Sequence, residues 1–436
     1  MVHETFVSGS YRDPDSYIDV VHGVVLRKLS DSYLASYKHY TDSGLHKELI
    51  AQNLVIDHEQ IATNTLRPVQ LAMISYPYEW CFTALKQAAL TTLRVQLIAL
   101  NFGMTLKDAS AYNIQWHKGQ MVHIDTGSFE MYINDSPWKA FGQFLKHFLY
   151  PLLLMQRDLQ LGKLQQVFID GIPTSLTSKL ISKLNFSHMQ YVHLPASLEH
   201  TASIIDEPKL ARKVLCDMLT RLAKYVAGLK VPSYSDLWSD YNITAERTRK
   251  SELVNQLLGK LPKGMLWDLG CNDGFYSNIA YYKDFQNVVA MDSSCATIEK
   301  CYQKYGRNFL PLIVDLVNPS PAIGWCNIER GSLLSRGPAD TVLALALIHH
   351  LIIGNNCTPK MVADFFKGIC KDYLIVEIIT PYDVQVREMF RTRPDMKERY
   401  NIDNITHTLD SYFEVVESLP VSPTRYIQLR RRHVCI

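Results

Sequence analysis

The chain has 436 residues, 47% apolar and 20% charged, with a formal net charge of +2. That length is too great for one ordinary core, so two domains are expected. The near balance of charge gives no electrostatic reason to expect nucleic acid as a partner.

The nine cysteines include no CxxC pair, so neither a zinc site nor a disulfide framework is suggested. Free thiols fit a reducing compartment. Met1–Phe6 lacks a basic start followed by an apolar run. The most apolar stretches, Phe144–Met155 and Val342–Ile353, are shorter than the ~20 residues a membrane span needs. A cytoplasmic location is expected.

The N-terminal half opens with Ser8-Gly9-Ser10-Tyr11-Arg12-Asp13-Pro14 and two β-like runs, Tyr17–Val21 and Val24–Leu29. Thr83–Phe102 has apolar residues at helical spacing. A stretch from Lys107 to Ser128 follows, containing Asp108-x-x-x-x-Asn113 and Ile124-Asp125-Thr126-Gly127. These two elements resemble the catalytic and metal loops of kinase-like phosphotransferases of the aminoglycoside-phosphotransferase type. The resemblance implies Asp108 as the base for a substrate hydroxyl, with Asn113 and Asp125 holding magnesium on the phosphates of ATP. The pattern also departs from that family. Leu106-Lys107 precedes the aspartate where His-Arg or His-Gly is usual, Ser8-Gly9-Ser10 is a poor glycine-rich lid, and only Arg27 and Lys28 stand where a nucleotide-binding lysine belongs. A kinase fold with lost or altered activity, an active phosphotransferase and a helical substrate-binding domain all remain open.

Asp170-Gly171-Ile172-Pro173 reads as a turn and Leu210–Leu229 as an amphipathic helix. The polar run Pro232–Asp236 marks the expected boundary, giving domains 1–230 and 235–436.

From Leu266 onward, β-rich runs alternate with helical segments, the pattern of an α/β doubly wound sheet. The expected strands are Met265–Leu269, Asn287–Asp292, Leu310–Asp315, Asp340–Ala346, Asp372–Glu377, Tyr412–Glu417 and Thr424–Arg430. The expected helices are 247–260, 275–284, 294–304 and 359–369. The last two strands are close enough for a hairpin, so the sheet edge is expected to be antiparallel. Arg430-Arg431-Arg432 reads as a charged strand end facing water.

The first strand runs into Asp268-Leu269-Gly270-Cys271-Asn272-Asp273-Gly274. Gly270 and Gly274 allow close backbone approach, and their G-x-x-x-G spacing differs from the dinucleotide G-x-G-x-x-G. A loop with no pyrophosphate to grip suits the methionine and ribose parts of S-adenosylmethionine. Asp268 is placed for the amino-acid end, Asp292 for the ribose hydroxyls and Asp315 for the adenine amino group. A lone aspartate at a strand end is commonly a helix cap; three in successive βα units, behind a glycine loop, are a cofactor signature. Cys271 and Asn272 belong to the same loop.

Leu266–Ser277 resembles motif I of class I S-adenosylmethionine-dependent methyltransferases. Together with Val314–Trp325, Glu329–Arg336 and Leu345–Leu351 it is similar to a bacterial group of the nodulation-protein NoeA type, over nearly the whole chain. The resemblance implies a Rossmann-like seven-stranded fold and the cofactor.

For the transfer itself, His349 and His350 follow the fourth strand and are candidate general bases. The Asn-Pro-Pro-Tyr motif of amino-nucleobase methyltransferases is absent, which favours an oxygen or carbon acceptor. Glu329, Arg330 and Arg336, in the long insertion after the third strand, and Glu377, at the end of the fifth, are candidate acceptor-pocket residues; an internal ion pair is the bland reading. The leading expectation is methylation of a small molecule or glycan, with the N-terminal domain helping to recognise it. A bifunctional kinase–methyltransferase and a non-catalytic scaffold or sensor binding S-adenosylmethionine and ATP are the alternatives.

Overall fold

The computed structural model describes residues 5–183, 185–195, 210–233 and 245–433. Two compact units make up the chain: Met1–Ser233 with Ala322–Arg330, and Tyr234–Pro321 with Gly331–Ile436. Of the polar run Pro232–Asp236, the residues from Tyr234 onward lie outside the described residues.

The first unit is α+β. Strands β1 (Thr5–Phe6), β2 (Ser16–Val21), β3 (Val24–Leu29), β4 (His58–Ala62) and β5 (Thr65–Pro68) form an antiparallel sheet in the order β1-β2-β3-β5-β4. The helix Phe82–Asn101 is the core of the rest of this unit, with Leu85, Ala88, Ala89, Leu93 and Ala99 all inaccessible to solvent. Against it packs the helix Arg212–Gly228, which buries Leu215, Leu219, Leu222 and Val226 along one stripe, as helical periodicity requires. Two short ladders follow the long helix: β6 (Met104–Leu106) with β9 (Phe129–Met131), and the hairpin of β7 (Ile114–His117) with β8 (Gln120–His123). The β4–β5 hairpin has no apolar alternation to announce it, because most of β4 is exposed.

The second unit is α/β. Its strands are β10 (Met265–Leu269), β11 (Asn287–Asp292), β12 (Leu310–Ile313), β13 (Ala339–Ala344), β14 (Cys370–Ile379), β15 (Phe413–Ser422) and β16 (Arg425–Arg432). They form one sheet in the order β12-β11-β10-β13-β14-β16-β15. β10 to β14 are mutually parallel, while β16 runs antiparallel to both β14 and β15. Leu266, Trp267 and Leu269 of β10 are fully buried, as expected for a central strand with helices on both faces. This order, closed at one edge by an antiparallel hairpin, is the class I methyltransferase fold, as the sequence pattern implied.

Arg430 corrects one expectation. It does not face water: it is completely buried and donates to Gln428 Oε1 and Asp410 Oδ1 at 2.7 Å. Arg431 is exposed and pairs with Glu414, while Arg432 donates to the Cys370 carbonyl at 2.6 Å. Among the described residues no helix is long and apolar enough to cross a membrane.

Candidate active site

A cavity of about 340 Å³ opens at the carboxyl ends of the parallel strands in the second unit. Its volume falls in the range of small-molecule sites. The glycine loop forms one wall. Gly270 has φ +68° and Gly274 φ +78°, left-handed values that glycine tolerates. At Gly270 an added Cβ would meet only Leu347 Cδ1, at 3.4 Å, whereas at Gly274 it would lie 2.4 Å from Cys301 Sγ. Gly274 is therefore required by packing behind the loop, while Gly270 leaves the cavity side open. The Cys271 thiol is buried, and that burial pushes its pKa well up, so it packs as a neutral side chain.

The acidic strand ends converge as expected, since Asp268, Asp292 and Asp315 all line the cavity together with Gly270, Cys271 and Asn272. Asp292 organises the loop as well: Oδ2 accepts from the Asn272 N–H at 3.0 Å and Oδ1 from the Ser294 N–H at 2.9 Å. Asp315 Oδ1 accepts from the Val317 N–H at 2.9 Å. Asp268 is buried and accepts from the Ser277 hydroxyl at 2.6 Å. Burial pushes its carboxyl up to about 6, against the pull of Ser277 and Lys250. Carboxylates at these strand ends are acceptors suited to the hydroxyl and amino groups of S-adenosylmethionine, and the residues present fit that cofactor.

The two histidines part company. His350 lines the cavity, and burial lowers its pKa, so the ring is neutral near pH 7. His349 is 1% exposed, is not a cavity residue, and its Nε2 has no hydrogen-bond partner. Burial and the adjacent His350 hold it well below the ordinary histidine value. As a candidate base, His349 is replaced by a core role.

Glu377 lies beneath the cavity and does not line it. Its Oε2 accepts from Lys250 Nζ at 2.5 Å and from the Ala346 N–H at 2.8 Å. Lys250, Gln385 and Arg425 line the cavity and were not singled out from the sequence. Lys250 was visible in principle: it continues the buried stripe of Leu253, Val254, Leu257 and Leu258 on the helix Ala245–Gly259, where a cation is out of pattern.

Arg336 also stands apart from the cavity; it closes a 3₁₀ turn with Nε donating to the Ser332 carbonyl at 3.2 Å. Glu329 and Arg330 belong to the first unit. Arg12 Nε donates to Glu329 Oε1 at 2.6 Å and Arg12 Nη2 to Oε2 at 3.1 Å. The Arg330 guanidinium stacks 4.1 Å from the centre of the Tyr112 ring. Ile323 packs on Tyr76, Tyr78 and Tyr112. Within the first unit these are the ion-pair and packing contacts of the alternative reading, an internal ion pair that pins the loop.

In the first unit Asp108, Asn113 and Asp125 do come close together. Asp108 Oδ1 accepts from the Ser110 N–H at 2.8 Å, and burial, then the charge of Asp125, raises its pKa. Asn113 Nδ2 donates to Ser128 Oγ at 3.2 Å. Asp125 Oδ1 accepts from Arg27 Nη1 and from the Gly127 N–H, and Oδ2 from the Ser128 hydroxyl. Burial alone would raise the Asp125 carboxyl; Arg27, Ser128 and the Gly127 amide outweigh it, and the net displacement is downward. Arg27 already compensates the Asp125 charge, and Ser128 and the Gly127 amide hold its carboxylate in place, an arrangement that does not call for the metal implied by the kinase-like pattern. Among the described residues no group of three or more His, Cys, Asp or Glu is arranged to hold a metal.

A curated relative, Nodulation protein NoeA of Rhizobium meliloti (strain 1021), is 30% identical over 442 residues, covering 94% of this chain and 92% of its own length. The chain belongs to the NoeA family. Its C-terminal unit is a class I methyltransferase domain by strand order and by the glycine loop. Among solved structures, this chain is similar to the PH0226 protein from Pyrococcus horikoshii OT3, with 17% identity, a TM-score of 0.34, and 45% of this chain and 95% of that one covered. A second is the magnesium protoporphyrin IX methyltransferase ChlM from Synechocystis PCC 6803, with 17% identity, a TM-score of 0.31 and coverage of 44% and 90%. A third is the N-methyltransferase NodS from Bradyrhizobium japonicum WM9, with 10% identity, a TM-score of 0.32 and coverage of 44% and 89%. No family model matches the chain.

Proposed function

We propose that this protein transfers a methyl group from S-adenosylmethionine to an oxygen or carbon of a small-molecule acceptor. The observation that carries the reading is that Asp268, the loop residues Gly270–Asp273, Asp292 and Asp315 line one cavity. S-adenosylmethionine supplies an electrophilic methyl group when bound. Asp292 and Asp315 present acceptor oxygens for its hydroxyl and amino groups, and Asp268 lies at the glycine-loop end. Leu345, Ala346 and Leu347, which follow β13, give the cavity an apolar wall that orients the acceptor and excludes water. The neutral imidazole of His350 takes the proton released when the acceptor atom is a hydroxyl or an acidic carbon.

Calorimetry with S-adenosylmethionine tests the cofactor assignment. Wild type should bind, and Asp292→Ala should bind at least tenfold more weakly. Absence of binding to wild type, or equal binding to Asp292→Ala, would overturn the assignment.

A further inference from the structure

The cavity of the second unit is asymmetric in charge along the strand order. Among the described residues, every carboxylate lining it, namely Asp268, Asp273, Asp292 and Asp315, belongs to β10, β11 or β12 or to the loops after them. The lining on the far side comes from the segment after β13 (His350 and Asn355), from the helix after β14 (Gln385), from the start of β16 (Arg425) and from Lys250. Among the described residues no acidic side chain lines that half.

The two cations are built into the site. Lys250 is 7% exposed and Arg425 5%. Each has a carboxylate partner that is not a cavity residue: Lys250 Nζ donates to Glu377 Oε2 at 2.5 Å, and Arg425 Nε and Nη2 donate to Asp383 Oδ2 and Oδ1 at 2.7 and 2.9 Å. Gln385 Oε1 accepts from Arg425 Nη2 at 3.2 Å, which orients the guanidinium further. The buried carboxylates offset the cost of desolvating the cations, and the cations rather than the acids line the cavity.

Resting on the methyltransferase reading, we propose that the acceptor carries an oxyanion, a carboxylate or a phosphate, and that Arg425 and Lys250, with Gln385, bind it beyond β13. Arg425 and Lys250 are then determinants of acceptor specificity. The cofactor half supplies carboxylates for a donor molecule with hydroxyl and amino groups, and the other half supplies hydrogen-bond donors for an anion.

The experiment uses the full chain loaded with S-adenosylhomocysteine and ligand-observed saturation-transfer NMR with three probes: benzoate, phenyl phosphate and benzamide. Wild type should give transfer to benzoate or to phenyl phosphate, whichever anion the site prefers, and at least tenfold less to neutral benzamide. Arg425→Gln should abolish the signal, Arg425→Lys should keep part of it, and Gln385→Ala should weaken it several-fold. Calorimetry should find S-adenosylhomocysteine binding within about twofold of wild type in Gln385→Ala, which leaves both ion pairs intact and so separates specificity from folding. Equal transfer to benzamide, no transfer to either anion, or undiminished anion binding in Gln385→Ala and Arg425→Gln overturns the proposal. If S-adenosylhomocysteine itself fails to bind wild type, the methyltransferase reading fails first, and this one with it.

Discussion

Arg12 grips Glu329 through two hydrogen bonds, Nε to Oε1 at 2.6 Å and Nη2 to Oε2 at 3.1 Å, across 317 residues of sequence. The carboxylate is almost wholly buried, while Arg12 is 40% exposed and also holds Asp170 at 2.7 Å. Gly9 permits the contact, because a Cβ there would lie 2.7 Å from the Glu329 carbonyl oxygen.

Removing the buried partner should therefore be costly. Glu329→Ala is expected to lower stability by about 1–2 kcal/mol, a value discounted for the exposure of Arg12. Burial would raise the Glu329 pKa, but Arg12, the Trp325 amide and Arg330 together lower it below its ordinary 4.5. A carboxyl with a depressed folded pKa contributes stability above that value and loses it as pH falls through the folded pKa. Denaturant unfolding from pH 7 to pH 3 should show wild type losing this contribution in acid, with the gap to Glu329→Ala closing there.

Asp268 has the opposite sign. Its folded pKa is pushed up to about 6 by burial, above an unfolded value of 3.8. The folded state binds the extra proton between those values, so stability falls as pH rises through that window. Asp268→Asn should thus be more stable than wild type at pH 7, by about 1–3 kcal/mol, and should bind S-adenosylmethionine at least tenfold more weakly. A thermal melt that is unchanged or lower in the variant would contradict the first half, and unaltered calorimetric affinity the second.

Gly270 and Gly274 share a conformation and differ in surroundings. Gly270→Ala is expected to cost about 1 kcal/mol from its left-handed backbone alone. Gly274→Ala adds a Cβ against Cys301 Sγ and Phe309 Cζ, at 2.4 and 3.1 Å, and should cost about 2–4 kcal/mol in total. Chemical denaturation of the two variants side by side checks the ordering.

His349 and His350 should separate in a kinetic assay. His350→Gln is expected to lower kcat by about 10²–10⁴ with cofactor affinity retained. His349→Leu should leave the pH profile of kcat unchanged. Its depressed pKa means that wild type loses stability as pH falls below the ordinary 6.5 and the unfolded state takes up a proton. His349→Leu should be less sensitive to acid across that range, as melts at pH 7.5 and 5.5 would report.

The strands β10 to β14 were legible because each carries a mostly apolar run bounded by a turn, and the proposed cofactor residues because each stands at or just beyond the end of one of those runs. Asp268, Asp292 and Asp315 needed no knowledge of packing. The far side of the cavity was less so, for a physical reason. Gln385 and Arg425 reach the cavity from separate elements, and no local pattern records that their strand ends are neighbours. For Glu329 and Arg330 the sequence left an acceptor pocket and an internal ion pair equally open, because their partners, Arg12 and Tyr112, are hundreds of residues away. The kinase-like resemblance implies a metal role for Asp125 that no local pattern could test, because Arg27, which pairs with its carboxylate, sits on a different strand. Lys250 is the exception that could have been found, as a cation on an apolar stripe.

The segment Ala322–Arg330 makes the chain cross between its two units more than once. The polypeptide passes from one unit to the other after Ser233, returns after Pro321 and leaves again after Arg330. A cut at a single linker therefore does not yield two finished pieces. A fragment beginning near residue 235 carries off Glu329 and Arg330, stranding Arg12 and the Tyr112 ring in the other.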